Sequence, residues 1–186
     1  MDKIFSSTFR LSGAAIVDFV TALASISFEE IVNAGKTANA SCRMFSLQKI
    51  VEICYYNMNR IRVEWSNIWN VLQEHFNQIG SLSNINVASF AIDSLRQLSM
   101  KFLEKEEMPQ FSFQKDFLKP FEYIFLNNSS IQIKDMVQRC VAQLIQSKGY
   151  NMKSGWQTLL SVFTIGSRDE NGNLLLKHRY SCSVCF

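Results

Sequence analysis

The feature that most constrains this chain is its spacing of apolar residues. They recur three or four positions apart almost from end to end, and no stretch alternates with period two for long enough to require a strand. Ser12 precedes Ala14, Ala15, Ile16, Val17, Phe19, Val20, Leu23 and Ala24, a capped helix with a broad apolar face. Ser27, followed by Glu29, Glu30, Ile31 and Val32, reads as a short second helix with acids in its first turn. Residues 33–43 are small and polar, a surface loop. Ser46 is placed to cap a helix running to about Ile61, and the next begins near Trp65 and stops at Gly80. Asn84 or Asn86 opens a helix to Leu103, and an acidic linker, Glu104 to Pro109, follows it. Pro120 is expected to divide the aromatic run 111–128 into two pieces. Ser130 begins a helix for which Gly149 is the C′ stop, and residues 154–165 give a last helical segment around Trp156.

Seven or eight helices with short connections leave a bundle or a stacked solenoid. Helix pairs recurring roughly every 40 residues favour the solenoid, an all-α armadillo/HEAT-like array, although no clean consensus repeat is visible. Composition agrees: seven Gly and two Pro in 186 residues argue against a many-turned sandwich, and fifteen Phe promise large core anchors. A net charge of +3 is near balance and argues against a nucleic-acid binder. The first eleven residues lack a secretory h-region, and no apolar run approaches the ~20 residues of a membrane span. A cytoplasmic protein with reduced cysteines is expected.

Catalytic chemistry finds little support. There is no Walker-type loop, GxGxxG, HExxH or GxSxG, and the two histidines leave a triad almost no freedom. His75 reads as a helix-surface histidine. Glu29–Glu30 and Glu106–Glu107 read as solvated or first-turn charge, because adjacent helical residues point apart. His178, Cys182 and Cys185 form H-x3-C-x2-C, one ligand short of a structural zinc site. No metal, cofactor or catalytic residue is therefore assigned.

The denser signal is polar residues set among aromatics: YYNMNRIRVEWSNIW (55–69), DSLRQLSMKFLEKEE (93–107) and FSFQKDFLKPFE (111–122). Arginine and aromatic residues are common interface anchors, while Asn and Arg at helix junctions also satisfy loose carbonyls. Asn57, Asn59, Arg60, Arg62, Arg96, Lys101, Lys115, Lys119 and Glu122 are the candidate partner-binding residues.

These three segments, with LSGAAIVDFVTAL, RMFSLQKIVEICYYN, IKDMVQRCVAQLI and KSGWQTLLSVF, resemble the first homology region downstream of the catalytic domain in large brefeldin A-inhibited, Sec-seven-type exchange factors for ADP-ribosylation factors. The resemblance is collinear from about Ile4 to Phe163. It implies an armadillo-like array that is cytosolic, recruited peripherally to Golgi and trans-Golgi membranes, and regulatory in vesicle-mediated transport. It also implies a partner that is either an ADP-ribosylation-factor GTPase or another domain of the parent protein. The family's catalytic loop reads Phe-Arg-Leu-Pro-Gly-Glu-Ala. Phe9-Arg10-Leu11-Ser12-Gly13-Ala14-Ala15 lacks its Pro and Glu, so no exchange activity is expected of this chain. A regulatory domain over 1–166 and a divergent, disordered tail over 167–186 are expected, the change near Gly166 reading as truncation, alternative splicing or a mispredicted end.

Overall fold

The structure, a computed structural model, describes residues 2–34, 44–108 and 110–168. Among them are eight α-helices and no strand: α1 (Asp2–Ser6), α2 (Gly13–Ala34), α3 (Phe45–Asn57), α4 (Arg62–Gly80), α5 (Ile85–Phe102), α6 (Phe113–Asn127), α7 (Ile131–Lys148) and α8 (Gly155–Arg168). Two 3-10 turns, Ser7–Arg10 and Gly149–Asn151, follow α1 and α7. The expected all-α array is observed. It divides into two compact units, Met1–Ile79 and Gly80–Phe186.

In the first unit α3 packs on α1 and α2. Ile16, Val20 and Ile31 of α2 and Leu47, Ile50, Ile53 and Cys54 of α3 are buried, as are Trp65, Ile68, Trp69, Leu72 and Phe76 of α4. Trp65 and Trp69, one turn apart, stack with ring centroids 6.3 Å apart. Each such side chain contributes roughly 1.5–3 kcal/mol on burial.

Two expectations fail here. The helices read at Ser12 and Ser27 are one continuous helix, α2. Ser27 does not cap; its buried hydroxyl meets His75 Nε2 at 3.1 Å. Glu30 serves no first turn of its own but accepts from the Ser46 amide at 3.3 Å. Ser46 lies inside α3, which ends at Asn57 rather than Ile61.

In the second unit α5 packs on α7 and α6 on α8. The register is parallel in both pairs. Arg96 lies near Cys140, and Met100 Sδ accepts from Ser147 Oγ at 3.2 Å. Along α6 and α8, the Lys115 carbonyl accepts from Thr158 Oγ1 at 3.2 Å, and Phe125 Cζ comes within 3.3 Å of a Cβ built at Gly166. Alternate helices therefore form two layers, with one repeat of sequence between stacked partners, as in armadillo and HEAT arrays.

Pro120 does not divide its segment: it sits inside α6. Its ring removes the amide that Asp116 would receive, a cost of about 3 kcal/mol in an isolated helix. The buried Phe117, Leu118, Phe121, Ile124 and Phe125 on either side of it outweigh that loss, with Phe117 stacked on Phe102 at 4.2 Å. Asn84 caps α5 through the Asn86 and Val87 amides at 3.1 and 3.4 Å. Gly149 ends α7 at φ −55°, running on into the 3-10 turn without a left-handed residue.

Candidate interaction surface

Asn57 and Arg60 stand at the end of α3, where the chain turns into α4. Asn57 is fully buried. Its amide donates to Thr8 Oγ1 and the Ile53 carbonyl, both at 2.9 Å, and its Oδ1 receives Arg60 Nε at 2.7 Å. Arg60 Nη1 pairs with Glu64 at 2.9 Å, and Nη2 reaches the carbonyls of Thr8, Phe9 and Leu11 at 3.1, 3.2 and 2.6 Å. The Thr8 carbonyl also accepts the Leu11 amide at 3.0 Å, the bond that closes the 3-10 turn. One guanidinium thus ties the amino-terminal turn to the α3–α4 junction. Asn57 is accordingly no part of a partner-binding surface: the turn that had marked it as an interface anchor folds it inward.

The same device recurs in the second unit. Asn128, buried after α6, donates to the carbonyls of Gly80 and Leu82 at 2.9 and 3.1 Å and accepts the Ser130 amide on Oδ1 at 2.9 Å. Asn151, after α7, donates to the carbonyls of Leu103 and Glu104 at 3.0 and 3.4 Å. In each case a polar side chain following one helix closes loose carbonyls 46 to 52 residues earlier.

Glu107 is the most enclosed charge of the acidic linker, 7% exposed. Its carboxylate accepts the Gln114 amide at 2.8 Å, the Ser154 amide at 2.8 Å and the Ser154 hydroxyl at 2.6 Å. It therefore caps the amino-terminal ends of α6 and α8 together, where a negative charge meets the positive ends of two helix dipoles. Gln114 completes the junction, donating to the Asn151 carbonyl at 3.0 Å and accepting the Lys153 amide at 2.8 Å. Of the two readings of Glu106–Glu107, charge at a helix amino terminus fits Glu107, and solvated charge fits Glu106, which is exposed and paired with Lys153 at 2.8 Å. That ion pair and its hydrogen bond hold the Glu106 carboxyl below the usual range.

The remaining candidates lie apart. Asn59 is exposed and Arg62 half-buried, both beside the α3–α4 turn. On α5, half-buried Arg96 clasps Asp93 Oδ1 through Nε and Nη2 at 2.9 and 2.7 Å, and exposed Lys101 pairs with Glu104 at 2.6 Å. On α6, Lys115 and Lys119 are exposed, Lys119 pairing with Asp116 at 2.7 Å, and Glu122 is half-buried. Arg96 and Lys101 thus belong to the α5/α7 layer, and Lys115, Lys119 and Glu122 to the α6/α8 layer. Within the first unit the structure brings Asn57 together with Arg60, and within the second it sets the candidates on two different layers.

His75 is not a helix-surface residue. It is 4% exposed, and burial lowers its pKa to about 4, so the ring is neutral at pH 7. Its enclosure comes from α2, 48 residues away in sequence. Burial also pushes the thiols of Cys54 and Cys140 upward, Cys140 to about 11. Among the described residues no three His, Cys, Asp or Glu gather as for a metal ion, and no helix is long and apolar enough to cross a membrane. His178, Cys182, Cys185 and nearly all of the expected 167–186 tail lie outside the described residues.

Comparison with known proteins supplies the context. Residues 101–181 match a family model described as Mon2/Sec7/BIG1-like, HDS, which carries the likeness past Gly166. The chain is 52% identical over 175 residues to human brefeldin A-inhibited guanine nucleotide-exchange protein 1, covering 94% of this chain and 9% of that protein. It is 54% identical over 168 residues to the ADP-ribosylation factor guanine nucleotide-exchange factor sec72 of Schizosaccharomyces pombe, 90% of the chain and 9% of the relative. It is 48% identical over 178 residues to the SEC7 exchange factor of Saccharomyces cerevisiae, again 9% of that protein. The chain thus spans about a tenth of the length of these relatives. Identity of 52% over 94% of the chain, together with the HDS family model on residues 101–181, identifies the chain as an HDS region of the large Sec7-type, brefeldin A-inhibited exchange-factor family.

Proposed function

We propose that this chain is a non-catalytic regulatory and interaction region of a guanine-nucleotide exchange factor for ADP-ribosylation-factor GTPases. It acts in Golgi vesicle-mediated transport by helping recruit its parent to the membrane and coupling that recruitment to the GTPase. The observation that carries the reading is the 52% identity over 94% of the chain to a brefeldin A-inhibited exchange protein. The residues left to meet a partner are Asn59, Arg62, Arg96, Lys101, Lys115, Lys119 and Glu122, all exposed or half-buried. Localisation is cytoplasmic and peripheral at Golgi membranes, through the GTPase or through other domains of the parent; no cofactor takes part. Pulldown of GTP-loaded and GDP-loaded factor by the purified chain tests this: preference for the GTP form is expected, and equal capture of both overturns GTPase coupling. A nucleotide-release assay on the same material is expected to show no acceleration.

A second reading, a structural spacer whose polar motifs only lock helix to helix, is favoured at Asn57 and Arg60 by their inward hydrogen bonds. Under that reading alanine at Arg96 lowers stability without changing partner capture.

A further inference from the structure

The helices α2 and α4 of the first unit run in parallel register, Gly13 lying beside Glu64 and Ser27 beside His75. Between them is an open trough with two concavities of about 520 and 290 Å³, the first bordered by Asp18 and Asn70, the second by Thr21, Glu29, Glu74 and Gln78. Phe28 and Val71 contribute to its floor. Asp18 and Glu29 stand on one exposed stripe of α2, and Asn70, Glu74 and Gln78 on the facing stripe of α4. Among the described residues no Lys or Arg borders either concavity. The wider charge pattern agrees: α2 holds Asp18, Glu29 and Glu30 and no basic residue, and α4 holds Glu64, Glu74 and only Arg62, in a chain of net charge +3. Because His75 is neutral at pH 7, it does not offset the carboxylates. From Gly13 to Glu29 the trough follows some four to five turns of helix, about 24 Å.

We infer that this trough is a docking surface for a basic amphipathic helix of a partner protein, whose Lys and Arg side chains meet Asp18, Glu29 and Glu74 while its apolar edge covers Phe28 and Val71. Charge complementarity selects the occupant: carboxylates on both walls repel an acidic segment and steer a basic one, and a helix laid between two helices presents anchors every three or four residues to such a groove.

The experiment is fluorescence anisotropy with the full chain and a labelled helical peptide of about 16 residues bearing Arg on one face, beside its Glu-for-Arg counterpart. The basic peptide is expected to bind, more weakly as salt rises, and the acidic one not. The double variant Glu29→Lys/Glu74→Lys is expected to lose roughly tenfold or more in affinity, while Gln143→Lys/Gln157→Lys, exposed in the second unit, keeps it. If the double reversal fails to fold by circular dichroism, Asp18→Asn/Glu74→Gln serves in its place with a smaller loss. Amide shifts in a labelled chain are expected at Thr21, Glu29, Glu74 and Gln78. Unchanged affinity in a folded trough variant, binding of the acidic peptide, self-association of the chain through this face, or shifts confined to the second unit would each overturn the inference. The same variants presented with GTP-loaded factor report on the GTPase separately, so a failure of one reading does not masquerade as failure of the other.

Discussion

Replacing Arg60 with alanine removes a side chain that makes five hydrogen bonds at once. Its Nε satisfies Oδ1 of fully buried Asn57, Nη1 pairs with Glu64, and Nη2 closes the carbonyls of Thr8, Phe9 and Leu11. Hydrogen bonds involving a charged group contribute about 1.5–3 kcal/mol each, and a buried acceptor left unpaired costs about 1–3 kcal/mol. The bonds are not additive, because Nη2 is shared among three carbonyls and water reaches the partly exposed Phe9 and Leu11 once the guanidinium has gone. The part water does not repair is the buried Asn57 Oδ1, since the Thr8 carbonyl keeps the Leu11 amide, and this sets the expected loss at about 3 kcal/mol. For a chain of this size that corresponds to a fall in Tm of roughly 6–12 °C. Arg60→Lys is expected to lose nearly as much, since an ammonium cannot span Asn57, Glu64 and the turn together. Thermal unfolding followed by circular dichroism measures both, with Arg62→Ala, on the neighbouring half-buried position, as the comparison. A Tm within a degree of the parent for Arg60→Ala would refute the reasoning and return Arg60 to the list of residues held for a partner.

Glu107→Ala, which uncaps α6 and α8 together, is expected to cost about 2–4 kcal/mol in urea unfolding, and Glu107→Gln about half of that, since the amide oxygen still accepts. Gly80→Ala places a Cβ 2.3 Å from Ile124 Cδ1 and is expected to destabilise by about 1–3 kcal/mol, with partial recovery in the double variant with Ile124→Val. His75 gives a pH signature. Its folded pKa of about 4 lies below the unfolded 6.5, so the unfolded state binds the extra proton; stability is full above about pH 6.5 and falls as pH drops toward 4, by on the order of 2–3 kcal/mol. Denaturant titrations at pH 7 and pH 5 should therefore diverge less for His75→Gln than for the parent chain.

Helix existence was legible from spacing alone, because every buried stripe obeys the three-and-four rule and Asn84 and Gly80 mark their ends by local chemistry. What was not legible is whatever depends on a partner one repeat away. Ser27 looks like an N-cap until His75 is placed beside it. His75 looks like a surface residue until α2 covers it. Glu107, followed by an apparent linker, gives no local hint that Ser154 and Gln114 converge on its carboxylate. Pro120 reads as a break because its cost is local, whereas the burial that outweighs it is supplied by α5 and α8. The motif density around Asn57 and Arg60 did mark something unusual, but a concentration of polar side chains among aromatics marks a junction as readily as an interface. Only burial separates the two.

The repeat itself explains why no consensus was visible. Asn151 performs, for the end of α5, the task that Asn128 performs for the end of α4 and that Arg60 performs for the amino-terminal turn. The requirement is a hydrogen-bond donor in the turn after a helix, long enough to reach carbonyls about 48 residues back, and Asn and Arg both meet it. Selection for a donor rather than for a residue type leaves the physical period intact while erasing it from the letters. The consequence for function is a division of labour along each helix. Polar side chains buried at the turns are committed to holding successive repeats in register, so the residues offered to a partner are the exposed ones, Asn59 and those along the helix flanks: the trough between α2 and α4, and the charged stripes of α5 and α6. Substitutions of those turn side chains should therefore register as lost stability, and substitutions at Asn59 and on the flanks as lost binding with the fold retained.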